Sequence, residues 1–223
     1  MTNTRRGLPR WSEVAIALFG LIVLSPLIGL CALAIVLTSG APIVFRQRRV
    51  GKQGRPFTLY KLRTMKPSAG GSQITSAKDA RITRLGGFLR NTKLDELPTL
   101  WNVLRGDMSL VGPRPEVPRF VNLDQPIWQT VLSTRPGLTD PVTLQLRNEA
   151  DLLAQIEGDT EQFYVSELQM WKLKGYVDYL EQRDWRSDVR VLVQTMAALV
   201  GAPKATRISV QPFAVTPRQP REE

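Results

Sequence analysis

Two adjacent carboxylates, Asp95 and Glu96, stand in the segment TKLDELPTLWNVLRGDMSLVGPRP, residues 92–115, of a chain whose formal charge is +10. Lys61, Arg63, Arg84, Arg90, Arg114, Arg135 and Arg147 sit beside turn-forming residues rather than on long polar helix faces. VGPRP and RPGLT each set an arginine against a proline. A rigidly held guanidinium matches the two-pronged geometry of phosphate. An acidic pair beside phosphate points to a divalent cation, because Mg²⁺ takes one or two carboxylates together with substrate phosphate oxygens. Each feature also has a simpler reading. An arginine is a surface charge, Asp95 an N-cap, and Glu96 a first-turn acid favoured by the helix dipole. The combination is what points to phosphate chemistry.

Composition removes several alternatives. The chain has no histidine, so the commonest metal ligand and the usual neutral-pH general base are both missing. Its single cysteine, Cys31, allows no intrachain disulfide and no cysteine zinc cluster, and it lies in an apolar run that favours an inert buried thiol. A length of 223 residues, 43% of them apolar, supplies one ordinary core. The strong positive charge asks for an anionic partner: nucleic acid, acidic lipid or a phosphorylated substrate.

Several elements must position the acidic pair. Leu97, Leu100, Trp101 and Leu104 follow helical spacing, with Asp95 at or near the N-cap, Pro98 in the first turn and Gly106 just past the end. Residues 43–47 and 57–62 read as two short strands around a glycine-rich turn. Residues 66–80, small and polar, read as a mobile loop. Ile82, Leu85 and Leu89 mark a further helix, in which Gly86-Gly87 calls for a packing or close-approach reason. From 150 to 200 the chain reads mainly as helices, with Phe163, Val165, Leu168, Trp171 and Leu173 as core or membrane-surface contacts. The segment 203–223 carries four prolines without periodicity and reads as a disordered tail. The expected class is α+β, mostly helical, with short strands.

Residues 14–37 form an uncharged apolar run, as a helix about 36 Å long against a bilayer core of about 30 Å. Basic residues flank it on both sides: Arg5, Arg6 and Arg10 before, and Arg46, Arg48, Arg49, Lys52 and Arg55 after. A single span concentrates its basic residues on the cytoplasmic side. Ser25-Pro26 at the centre removes one backbone donor and invites a kink. Two conformations remain open: an ordinary span with a tolerated proline, and a helix broken at Ser25-Pro26 that dips in and returns. The charges favour the second.

Over residues 5–200 the sequence resembles the bacterial sugar transferase family, the monotopic phosphoglycosyl transferases. The resemblance rests on the basic flank with its Ser-Pro pair, on FTLYKLRTM, on LRNTKLDELPTLWNVLRGDMSLVGPRP and on RPGLT. It implies transfer of a sugar 1-phosphate from a UDP-sugar to a polyprenol phosphate, usually undecaprenyl phosphate, with release of UMP. That step opens the assembly of surface polysaccharides and glycoconjugates. The resemblance also implies a re-entrant helix broken at Ser25 and Pro26 within residues 1–40. A small cytoplasmic catalytic domain, 41–202, would lie on the inner face of the bacterial plasma membrane.

Residue by residue, the family's catalytic dyad falls on Asp95 and Glu96, with Asp95 as nucleophile and as Mg²⁺ ligand. Its phosphate-binding residues fall on Lys61, Arg90, Arg114 and Arg147. One departure is clear. Where many members continue with a Gln-Val-Asn-Gly-Arg-Asn stretch, this chain reads RPGLTDPVTLQLRNE, keeping Arg147 and Asn148 but not the small residues before them. A donor different from that of those members follows. The competing reading is a membrane-anchored basic protein that binds acidic lipid or nucleic acid. It leaves Asp95-Glu96 without a task and predicts basic residues interleaved with stacking aromatics, whereas the tryptophans here sit in apolar patterns.

Overall fold

A computed structural model describes residues 7–66, 74–77, 79–147, 149–156 and 158–201. Arg5, Arg6, Asn148, most of the 66–80 loop and the expected tail lie outside the described residues. Thirty residues, Arg10–Ser39, form helix α1. The break expected at Ser25-Pro26 does not interrupt it. Pro26 has no N–H for the Ile22 carbonyl four residues back, and Ser25 Oγ donates to that carbonyl instead, at 2.8 Å. The acceptor that proline orphans is satisfied within the helix.

One side of α1 is covered by the rest of the chain. Ala17 packs with Leu100, Val103 and Leu110, while Cys31 and Ile35 pack with Leu62 and Leu89. The other side leaves Leu18, Phe19, Ile22, Val23, Leu30, Leu33 and Leu37 exposed. Both ends of α1 are tied down. The Leu8 N–H donates to Asp188 Oδ2 at 2.9 Å. Arg63 donates to the carbonyls of Ser39, Gly40 and Ala41, which leave the helix's far end, at 2.5–2.8 Å. Arg63 is therefore a C-terminal clamp rather than a phosphate ligand. Arg10 is likewise engaged, donating to the carbonyls of Val103, Leu104 and Met108.

Strands β1 (Val44–Val50) and β2 (Pro56–Leu62) form an antiparallel hairpin, slightly longer on its first strand than the sequence reading. Its register sets Phe45 opposite Lys61, Gln47 opposite Leu59 and Arg49 opposite Phe57. Because side chains alternate, these six share one face of the ribbon. Helix α2 (Arg84–Asn91) follows, capped by Thr83 Oγ1, which accepts from the Gly86 N–H at 2.9 Å. Its glycine pair now has a physical account. A Cβ on Gly86 would lie 1.9 Å from the Thr64 carbonyl oxygen, whereas one on Gly87 would meet nothing nearer than 4.0 Å. Only the first glycine is demanded by close approach.

The chain then forms a 3₁₀ segment, Leu94–Thr99, that runs directly into α3 (Leu100–Arg105). Gly106 ends α3 in the left-handed region, φ 88°, as its position predicted. Strand β3 (Ser109–Val111) pairs in parallel with β4 (Gly137–Thr139), after a connection that contains α4 (Pro126–Val131). This pairing was not read from the sequence. Gly112 and Gly137 meet backbone to backbone: a Cβ on Gly137 would fall 2.1 Å from the Gly112 nitrogen.

Helices α5 (Pro141–Gln145), α6 (Glu149–Leu153), α7 (Thr160–Phe163), α8 (Gln169–Gln182) and α9 (Trp185–Leu199) complete the described chain. Tyr164 and Leu168 join one apolar cluster with Val117 and Phe120, with Phe163 and Trp171 packed against it, and Leu173 joins a second with Val50 and Trp128. Most of that aromatic and apolar set is core, as expected, but Val165 is exposed. The class is mostly helical with a few short strands, as the sequence indicated.

Candidate active site

Asp95 is not a helix cap. It is the second residue of the 3₁₀ segment, whose N-cap position holds Lys93 with φ 59° and no side-chain capping bond. The left-handed turn at Lys93, with Pro98 inside the segment, brings both carboxylates inward. Asp95 is 7% exposed. Its Oδ1 is buried with no hydrogen-bond partner. Burial pushes the Asp95 carboxyl up, and neighbouring Glu96 adds to this, against the opposing pull of Lys61, Lys93 and Arg90.

Glu96 has the opposite environment. Lys61 Nζ donates to its Oε1 at 2.8 Å, and Arg114 Nη2 to the same oxygen at 2.5 Å, with Nη1 3.4 Å from Oε2. Burial alone would raise the Glu96 carboxyl. Arg114 and Lys61 outweigh it and hold the group well below the usual carboxylate range. Burial pulls the Lys61 ammonium down against the attraction of Glu96. Two like residues in sequence are thus driven apart in ionisation.

Each partner is delivered by a different element. Lys61 comes from β2, fixed by the register above. Arg114 comes from the loop after β3, and that loop is held on two sides. Gly137 N–H donates to the Pro113 carbonyl at 2.9 Å, and Gly112 N–H to Thr139 at 3.0 Å. Arg49 Nη1 donates to the Pro115 carbonyl at 3.0 Å and sits 3.4 Å from Glu116 Oε1. Glu116 also accepts from the Tyr164 hydroxyl. Lys172 Nζ reaches both oxygens of Glu149 at 3.1 Å and the Tyr164 hydroxyl at 3.4 Å.

Of the expected site residues, Asp95, Glu96, Lys61 and Arg114 come together. Arg90, on α2, is close enough to influence Asp95 and lies 3.5 Å from Thr64 Oγ1. Among the described residues, no hydrogen bond or ion pair joins Arg147 to the acidic pair. Arg49 was missed, although the signal was present: strand alternation places residues 45, 47 and 49 on the face that carries Lys61. Lys93 was missed as well, since a left-handed lysine has no simple sequence mark. Arg135 donates to the Gly106 carbonyl at 3.0 Å, away from the pair.

Lys61, Glu96, Arg49 and Arg114 line a cleft with only about 10 Å³ free, room for about one water. Among the described residues there is no cluster of three or more acidic, histidine or cysteine groups. A metal held wholly by protein therefore does not fit. A Mg²⁺ ion that takes one carboxylate and completes its shell with phosphate oxygens and water is compatible with these residues, and the Asp95 carboxylate, whose Oδ1 has no hydrogen-bond partner, would be its protein ligand.

A family model described as bacterial sugar transferase matches residues 4–202. The chain is 38% identical over 181 residues to a UDP-glucose:undecaprenyl-phosphate glucose-1-phosphate transferase of Caulobacter vibrioides, covering 79% of this chain and 63% of that protein. It is 37% identical over 179 residues to the protein of the same description from Escherichia coli, covering 77% of this chain and 39% of that one. The exopolysaccharide production protein ExoY of Sinorhizobium fredii is 36% identical over 178 residues, with 72% and 76% of the two chains covered. The chain thus spans less than two thirds of the first two relatives and about three quarters of the third. With the family model covering nearly every described residue, the chain belongs to the bacterial sugar transferase family.

Proposed function

We propose that this chain transfers a sugar 1-phosphate from a UDP-sugar to undecaprenyl phosphate, releasing UMP, at the cytoplasmic face of the bacterial plasma membrane. The observation that carries this reading is the divided pair: a buried Asp95 with an unpartnered oxygen, beside a Glu96 pinned between Lys61 and Arg114. The descriptions of the relatives supply the substrate class.

Asp95 Oδ1 attacks the sugar-linked phosphorus of the donor. The bond from that phosphorus to the UMP oxygen breaks, and UMP leaves as an anion. No base is needed, since an ionised carboxylate is already a nucleophile, which suits a chain without histidine. Oxygen of the polyprenol phosphate then attacks the same phosphorus and frees Asp95. Mg²⁺ held by Asp95 and the donor phosphates would neutralise the oxygens that otherwise repel the carboxylate. Glu96 holds Lys61 and Arg114 in the closed cleft, and the incoming diphosphate takes these cations over from it.

For the membrane location, support comes from the apolar outer side of α1 and from its ends. A helix crossing a bilayer parts its two ends, whereas Leu8 and the Ser39–Ala41 carbonyls both bond to the same folded body. On α9, Trp185, Val189, Val193 and Met196 form an exposed apolar stripe at helical spacing. Residues 1–40 are then the membrane element, with α1 lying uninterrupted along the body and its exposed apolar side turned to the bilayer, and 41–202 the catalytic body. A soluble donor and a membrane acceptor both reach such a site.

Detergent-solubilised protein assayed for UMP release, with undecaprenyl phosphate and a panel of UDP-sugars, tests the reading. Mg²⁺-dependent release from one donor or a few is expected, and release should persist between about 50 and 200 mM salt, where nucleic-acid affinity collapses. No release from any donor would overturn it.

A further inference from the structure

The cations that surround the acidic pair are mostly spoken for. Glu96 takes both Lys61 and Arg114, and Arg49 is spent on Pro115 and Glu116. An arriving diphosphate carries at least two negative charges into a cleft whose own positive charge is largely cancelled. Lys93 is different. It is exposed, and among the described residues no hydrogen bond or ion pair holds its ammonium. Its position is nevertheless fixed by the backbone of the site: Lys93 N–H donates to the Arg90 carbonyl at 3.2 Å, and the Glu96 N–H donates to the Lys93 carbonyl at 3.2 Å. Its charge is felt by Asp95 and by Glu96 alike. The backbone at Lys93 is left-handed, φ 59°, a conformation glycine adopts freely and lysine only at a cost. Such a backbone outlier beside the acidic pair is the kind of position at which strain serves a site.

We infer that Lys93 is a further substrate-binding residue, whose exposed ammonium, on the turn that carries the acidic pair, captures the diphosphate of the nucleotide donor before Lys61 and Arg114 are released from Glu96. The inference rests on the proposed function, and its role is binding rather than chemistry. Lys93→Gly removes the charge while relaxing the left-handed turn, so the variant folds. Lys93→Arg keeps the charge with the same backbone demand. In the UMP-release assay, Lys93→Gly should raise KM for the UDP-sugar about tenfold, with kcat within about threefold of the parent. Lys93→Arg should restore KM, and the difference should shrink as salt is raised.

Calorimetric titration with UDP alone should show the same weakening in Lys93→Gly. Equal KM and equal UDP affinity in Lys93→Gly and parent would overturn the inference. So would a loss confined to kcat, which would make Lys93 a residue that tunes Asp95. A parent protein that releases no UMP counts against the proposed function instead, and the UDP titration still decides whether Lys93 binds a nucleoside diphosphate.

Discussion

At Asp95 and Glu96, neighbours in sequence meet opposite fields. Asp95 titrates above its ordinary value because it is buried. Its contribution to stability is therefore full below pH 3.8, the ordinary value, and is lost as pH rises through the higher folded value. At neutral pH an ionised Asp95 weakens the fold, and Asp95→Asn relieves that. We expect Asp95→Asn to abolish turnover, and the sugar-phosphate adduct seen by intact mass spectrometry without acceptor, while Tm rises by roughly 2–4 °C, equivalent to about 1 kcal/mol. Appreciable turnover in that variant would sink the covalent mechanism. Glu96 is the reverse. Held below its ordinary value of 4.5, it stabilises the fold above that pH, and the contribution fades as pH falls through the folded value. Glu96→Gln strands two half-buried cations and should cost about 1–3 kcal/mol in urea unfolding at pH 7, with the gap from the parent closing in acid. A change under about 1 kcal/mol would mean that Lys61 and Arg114 find other partners.

Among the elements, α2 and the β3–β4 pair are set by backbone contact rather than by side-chain fit. Gly86 rests against the Thr64 carbonyl, and Arg90 follows one turn later on the same helix. Gly86→Ala must push α2 away from Thr64 and should destabilise by about 2–3 kcal/mol, moving Arg90 with it. Gly87→Ala meets nothing close and gains helix propensity, so it should be neutral or stabilising by about 0.5–1 kcal/mol. Denaturant midpoints of the two single variants give the comparison directly, and equal midpoints would refute the close-approach account. The 3₁₀ start at Lys93 belongs to this scale too. Had Asp95 capped a regular helix, its carboxylate would have been satisfied by backbone N–H groups. Displaced inward, it keeps one oxygen without a partner.

For the whole molecule, the question is how one apolar helix serves a body that binds it at both ends. Glu13, 3% exposed near the start of α1, accepts the Leu110 N–H at 3.1 Å, so the helix is joined to β3, four residues before Arg114. In the proposed membrane setting, the seating of α1 and the geometry around Arg114 share this joint. With Cys31→Ser as background, Thr2→Cys and Gln53→Cys should both resist an impermeant thiol reagent in intact spheroplasts and both react after lysis. Labelling of Thr2→Cys alone before lysis would establish a true span and end the reading that keeps both ends of α1 on one face.

Much of this was legible in the sequence. The apolar run, the hairpin, the helix end at Gly106 and the acidic pair all follow from local rules: length, alternation, a left-handed glycine and residue type. Family motifs then named Lys61, Arg90 and Arg114. What local rules could not reach was anything decided by partners distant along the chain. Arg63 and Arg10 read as free charges until the carbonyls they clamp were in place, 22 and more residues away. Gly86 and the Gly112–Gly137 contact are close approaches between segments, invisible to propensity. Pro26 signalled a break, yet the neighbouring hydroxyl repaired it. The sequence by itself determined that an acidic pair stands among many cations. Only the tertiary structure decided which carboxylate is left unpaired, because burial and charge pairing depend on every segment that closes over Asp95 and Glu96.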